Sequence, residues 1–100
     1  MQKILLDFRT MNTKRQVQEY LMMKLGFPDY YGKNLDALFD MLTERGEDTC
    51  VGVFGIRERE ESPDSLTVYF RQLVRVLREA ENENPHLCVF FAAYEDNFEE

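Results

Sequence analysis

The sequence predicts a small α/β domain, one three-stranded parallel sheet flanked by helices. Three observations predict it. Three short and almost wholly apolar runs, 3–8, 49–54 and 86–93, read as strands. The stretches between them carry apolar residues at helical spacing, and strands alternating with helical connections form a parallel sheet. The chain has 100 residues, enough for one domain that buries a working core without staples. The domain is expected to span 1–93, with 94–100 as an acidic tail on which Tyr94 and Phe98 are the residues able to dock.

The first strand is Lys3 to Phe8. Ile4, Leu5, Leu6 and Phe8 leave almost no polar face, as expected where both sides of a sheet are covered. Thr13 with Gln16 fits a capping box and opens a helix. Its inner face is Val17, Tyr20, Leu21 and Lys24-Leu25, and Gly26 stops it. A loop, Phe27 to Lys33, leads to Asn34, a good N-cap. The helix that follows is expected to end near Arg45-Gly46. Thr49 to Phe54 is the second strand, in which Gly52 marks a bulge or a close backbone approach. Arg57 to Glu61 is a mixed-charge run, read as a solvated connection.

Ser62-Pro63 reads as an N-cap with proline at the first helical position, and Asp64 suits the start of a helix dipole. Leu66, Tyr69, Phe70, Leu73, Val76, Leu77 and Ala80 then form a long stripe of helical period, which stops before Pro85. His86 to Ala93 is the last strand. No repeat, linker or low-complexity segment interrupts this order.

Composition narrows function. There are 19 acidic residues against 12 basic, for a net charge of −7. Phosphates would be repelled, so nucleic acid and anionic membranes are poor partners. A basic partner is favoured, although solubility alone also accounts for such a charge. Met1 to Asp7 has neither a long apolar run nor a small-residue cleavage site, so no signal peptide is expected there. No stretch approaches the ~20 apolar residues of a membrane span. Two cysteines, Cys50 and Cys88, are too few for a disulfide framework, and a cytoplasmic location with reduced thiols is expected. Both lie among apolar residues and are expected to be buried and inert. His86, the single histidine, reads as structural. There is no Gly-rich phosphate loop, nucleophile elbow or CxxC spacing, and no cofactor or metal is expected.

The functional signal lies in the second helix. Leu35, Leu38, Phe39 and Leu42 share one face, whereas Asp36, Asp40 and Thr43 share another, with Phe39 on the border. Two carboxylates one turn apart repel each other by a few tenths of a kcal/mol in an isolated helix. They adjoin an aromatic edge, and Tyr30 and Tyr31, interface-prone residues, stand in the loop ahead. Acid beside aromatic suits a basic, groove-shaped partner. The pair also admits a metal or acid/base reading, for which no third ligand is placed nearby.

Tyr30-Tyr31-Gly32-Lys33-Asn34-Leu35-Asp36-Ala37-Leu38-Phe39-Asp40 resembles the motif of the barstar family, small inhibitors of secreted bacterial ribonucleases. The resemblance implies a barstar-like fold without enzymatic activity. In that family this helix and its loop plug the ribonuclease active site, and their carboxylates stand where RNA phosphates bind. Carried over, it implies Tyr30 as an aromatic contact, Asn34, Asp36, Phe39, Asp40 and Thr43 on the helix, and Asp40 as the residue entering the catalytic centre. Leu77-Arg78-Glu79-Ala80 is similar to a second family stretch, which makes Glu79 a candidate. Glu83, one turn on, is a further one, equally readable as plain surface. The implied partner is a basic ribonuclease or ribonuclease-like toxin. Phe39 stands where the best-known relative has tryptophan, and Lys33 where it has an acidic residue. A protein-binding module of the same fold with a different partner therefore stays open, as does a small metal-dependent enzyme using Asp36 and Asp40.

Overall fold

Backbone pairing sets the frame. In the computed structural model, which describes residues 1–56 and 65–91, the elements run β1 (Gln2–Asp7), α1 (Lys14–Leu25), α2 (Leu35–Thr43), β2 (Thr49–Phe54), α3 (Ser65–Glu83) and β3 (Leu87–Phe91). The strands form one sheet in the order β1-β2-β3. Both pairings are parallel and unbroken, Gln2 to Asp7 against Thr49 to Phe54 and Thr49 to Val53 against Leu87 to Phe91. The predicted fold class is the observed one. Gly52 pairs with Leu5 and Phe90 in this continuous ladder, so it marks no bulge.

Period two then sorts the side chains. The rows Ile4-Val51-Val89 and Leu6-Val53-Phe91 lie on the face that joins the core. Leu21, Leu38, Leu42, Phe70, Leu73 and Leu77 from the helices close that core, and each is buried. The alternate rows, Lys3-Cys50-Cys88 and Leu5-Gly52-Phe90, lie on the other face. There Leu5 is 37% exposed and Cys88 is exposed. This corrects two expectations: β2 is buried on both faces as expected, but the outer face is open along the edge strands β1 and β3, and only Cys50 of the two cysteines is buried. A nearly unbroken apolar run hides the parity of the strand, and parity decides which residues meet the helices.

α1 starts as expected. Thr13 accepts a hydrogen bond from the Gln16 amide, and the Gln16 side chain accepts from the Thr13 amide, which completes the capping box. It closes on Gly26 in the left-handed conformation. Val17, Leu21 and Leu25 are buried and Tyr20 is half-buried, its hydroxyl accepting from the Asp7 amide. Lys24 is exposed, whereas Gln18 is buried. The stripe of α3 is buried at Leu66, Tyr69, Phe70, Leu73, Leu77 and Ala80, and half-buried at Val76. The start proposed for that helix at Ser62 to Asp64, the charge run 57–61, Ala92-Ala93 and the boundary at 93/94 lie outside the described residues.

Two polar side chains fasten the element ends. The Arg45 guanidinium donates to Thr49 Oγ1, to the Leu25 carbonyl and to Gln2 Oε1, at 2.9, 3.1 and 2.8 Å. Buried Asn84 donates through Nδ2 to the carbonyls of Leu42 and Arg45, at 2.8 and 2.9 Å, and accepts from the His86 amide. It therefore ties the end of α2 to the junction of α3 and β3. Asn84→Ala leaves two carbonyls and one amide without these partners, and is expected to destabilise the fold by about 1–3 kcal/mol or more. Urea unfolding checks this, and Asn84→Asp, which keeps an acceptor but loses the amide donor, should recover only part of the loss.

Candidate functional site

The loop before α2 is built around a buried tyrosine. The Tyr31 amide donates to the Pro28 carbonyl and closes a turn over 28–31. The ring of Tyr31 packs on Phe27, centroids 4.7 Å apart. Its hydroxyl donates to Gln18 Oε1, and Gln18 Nε2 donates to the Tyr69 hydroxyl at 2.5 Å. Tyr31 is 4% exposed, whereas Tyr30 beside it is 81% exposed. Of the two tyrosines read as interface residues, only Tyr30 is presented outward, and Tyr31 is a core residue.

Burial, and then the neighbouring Tyr69, push the Tyr31 hydroxyl well above the usual tyrosine range. The raised group favours the neutral form in the folded chain. Its contribution to stability is present below pH ~10 and is lost as pH rises past that ordinary value. Tyr31→Phe removes this alkaline loss but strands the Gln18 acceptor, at about 1–3 kcal/mol. Unfolding curves at pH 7 and pH 11 check both signs: Tyr31→Phe is less stable at the first, and its deficit narrows at the second.

The left-handed residue of the loop is Lys33, at φ 57°. At Gly32 the space is tight, since a Cβ there would stand 3.3 Å from Ala37 Cβ. Asn34 then caps α2, its Oδ1 accepting from the Ala37 amide at 2.7 Å. Asp36 sits in the first turn, where a carboxylate suits the helix dipole. The helix ends at Thr43, with Glu44 as its cap, two to three residues before the expected end.

Leu38 and Leu42 hold one face of α2 in the core. Leu35, expected on that stripe, is half-buried because it lies at the margin, where it lines two depressions. The opposite face is open. Asp36 and Asp40 are exposed and Phe39 is half-buried. Leu35, Asp36, Phe39 and Asp40 of α2 meet Val76 and Glu79 of α3 around a shallow groove of ≈ 280 Å³. So the fold brings together four of the sequence-predicted site residues: Asp36, Phe39, Asp40 and Glu79.

The others stand differently. Tyr30 is exposed in the adjacent loop, while the side chain of Asn34 is committed to its cap. The Thr43 hydroxyl donates to the Phe39 carbonyl at 2.9 Å, within its own helix. Glu83 is exposed at the last residue of α3. Beside the groove lies a larger depression of ≈ 660 Å³, lined by Lys14, Arg15, Gln18, Lys33, Asn34, Leu35, Asp36 and Tyr69. Sequence reasoning did not anticipate this cationic rim, because its lysines and arginine come from two separate elements. Glu19 pairs with Arg15 at 3.0 Å and with Lys33 at 4.0 Å.

Among the described residues no three or more His, Cys, Asp or Glu side chains converge as metal ligands. Nor is any described helix long and apolar enough to cross a membrane. His86 Nδ1 lies 2.8 Å from Asp48 Oδ1 at the surface, beside the start of β3.

The fold and this face define a class: a small parallel α/β domain whose second helix sets carboxylates and a half-buried aromatic over a groove shared with a third helix. The chain belongs to the barstar family, whose model, described as Barstar (barnase inhibitor), matches residues 1–98. It is also similar to a protein of Bacillus subtilis (strain 168) named "Putative ribonuclease inhibitor YrdF". The two are 37% identical over 83 residues, which is 83% of this chain and 89% of that protein.

Proposed function

We propose that this chain is a protein inhibitor of a ribonuclease, and that the groove face of α2 and α3, with Tyr30 ahead of it, is the surface that covers the enzyme's basic active site. The observation that carries the reading is the convergence of Asp36, Phe39, Asp40 and Glu79 on one groove. Ribonucleases bind phosphates with cationic side chains, and carboxylates at matching positions occupy the same charge sites without a bond to cleave. Phe39 and Tyr30 add apolar contact that excludes water around those pairs. The chain supplies no reacting group in this mechanism. It blocks access and satisfies the enzyme's charges.

The overall charge of −7 supports approach to such a partner by electrostatic steering. Exposed charges are screened beyond about 10 Å at 0.1 M salt. The on-rate for a basic ribonuclease is therefore expected to fall as salt rises, while the off-rate changes much less. Stopped-flow mixing at low and high salt measures both, and an RNA-cleavage assay under the same conditions reports inhibition. Tight binding with a salt-indifferent on-rate removes the steering argument. Absence of inhibition across basic ribonucleases removes the reading itself.

A further inference from the structure

The outer face of the sheet carries a pair of thiols that the inhibitory reading does not use. Cys50 of β2 and Cys88 of β3 are direct register partners in a parallel ladder. Register partners project on the same face, and adjacent strands lie about 4.8 Å apart. That separation falls within the roughly 4.4–6.8 Å between Cα atoms that a disulfide spans. The two thiols are near enough to influence each other's ionisation. Both are free, and they differ in access, Cys88 being exposed and Cys50 buried. Lys3 is the next residue in the same row, on the other side of Cys50. An open thiol, a covered thiol opposite it on the neighbouring strand and a cation in the same row make an ordered pair. The outer one receives a reagent and the inner one displaces it.

We propose that Cys88 and Cys50 form a two-thiol site for low-molecular-weight disulfides, which react first at Cys88 and leave β3 stapled to β2 by a Cys50–Cys88 bond. In the first step Cys88, as thiolate, attacks one sulfur of the reagent R–S–S–R. A Cys88–S–S–R bond forms and RS⁻ leaves. In the second step Cys50 gives its proton to solvent and its Sγ attacks Sγ of Cys88. The Cys50–Cys88 bond forms and the second RS⁻ leaves. The two thiols lose two electrons and two protons, and the reagent takes up the two electrons as two thiols.

Access favours entry at Cys88. Burial, and then the neighbouring Cys88, raise the pKa of Cys50, while Lys3 opposes them weakly. Little of Cys50 is thiolate at neutral pH, so it acts after Cys88 rather than before it. The closed bond constrains the chain between 50 and 88 in the unfolded state, which raises stability. Both sulfurs lie on the face of the sheet away from the core side where α2 packs, so the α2–α3 groove is left as it was. The site and its test are independent of the partner proposed above.

The experiment exposes the full folded chain to oxidised glutathione and follows intact mass and free thiols over time. The expected course is a single glutathione adduct on Cys88 that rises and then decays. The product lacks two hydrogens, holds no free thiol and melts at a higher temperature, and dithiothreitol reverses all three. Cys50→Ala should stop at the adduct, whereas Cys88→Ala, which leaves only the covered thiol, should react about tenfold more slowly or less. Three results overturn the proposal: a lasting adduct with Cys50 still free, a product linked between two chains, or two thiols inert while the urea-unfolded chain reacts.

Discussion

Asp40→Ala is expected to weaken binding to a ribonuclease partner by about 2–5 kcal/mol, the usual cost of truncating one member of a buried, hydrogen-bonded charge pair. Much of that loss comes from the partner, whose cationic cluster is left desolvated without its counter-charge. In the free chain the same change is mild. Asp40 is exposed, and Asp36 lies one turn away with like charge. Removing one of them relieves a repulsion of a few tenths of a kcal/mol, so the melting temperature should hold or rise slightly. Asp36→Ala should behave in the opposite sense. Asp36 stands in the first turn of α2, where a carboxylate is worth about 0.3–1 kcal/mol to the helix. Its loss should cost stability first and affinity second. Glu47→Ala is the control for net charge, since it removes one unit at an exposed position outside the groove. Isothermal titration calorimetry on the three variants decides. Equal losses for Asp40→Ala and Glu47→Ala would mean that bulk charge does the binding and that this face of α2 does not.

Local chemistry made most of the frame readable. β2 runs from Thr49 to Phe54, the span its apolar run predicts, because turn-forming residues bound it on both sides. The capping box at Thr13 and Gln16 and the glycine stop at Gly26 are local signals, and they act locally. What the sequence hid was set at long range. Nothing near Tyr30 and Tyr31 says which of them turns inward. That is decided by Gln18, whose other partner, Tyr69, is 51 residues away from it in the chain. The ties of Arg45 to Leu25 and Gln2, and of Asn84 to Leu42, are polar contacts across elements that no periodicity announces.

The candidate face divides in the same way. Asp36 and Asp40 were visible as one helix face with Phe39 at its border, since 3.6-residue spacing alone aligns them. Glu79 was readable only from its resemblance to a second family stretch. Its meeting with Asp36 and Asp40 depends on how α2 and α3 cross. Lys33 carries the positive φ that a glycine usually takes, beside a Gly32 packed closely on Ala37.

Leu38→Ala is expected to cost about 2–5 kcal/mol of folding stability. Leu38 has no exposed surface, and it joins one core cluster with Leu42 beside it, Leu73 and Leu77 of α3, and Val51 and Val53 of β2. Truncation removes burial and leaves a cavity that two packed helices and a sheet can close only in part. For a domain of this size each kcal/mol lowers the melting temperature by about 4–8 °C, so a fall on the order of 10 °C or more should be seen. Leu35→Ala, at the half-buried margin of the same helix, should cost clearly less. Denaturant unfolding gives both numbers. A loss below about 1 kcal/mol at Leu38, against the range for a fully buried leucine, would mean that the helix is rotated from the phase described here. Asp36 and Asp40 would then no longer share the outer face. Stability and affinity separate on this one helix. Well below its own melting temperature, Leu38→Ala should still bind a ribonuclease almost as the parent does, because the groove face keeps its side chains. Asp40→Ala should fold as the parent does and fail to bind.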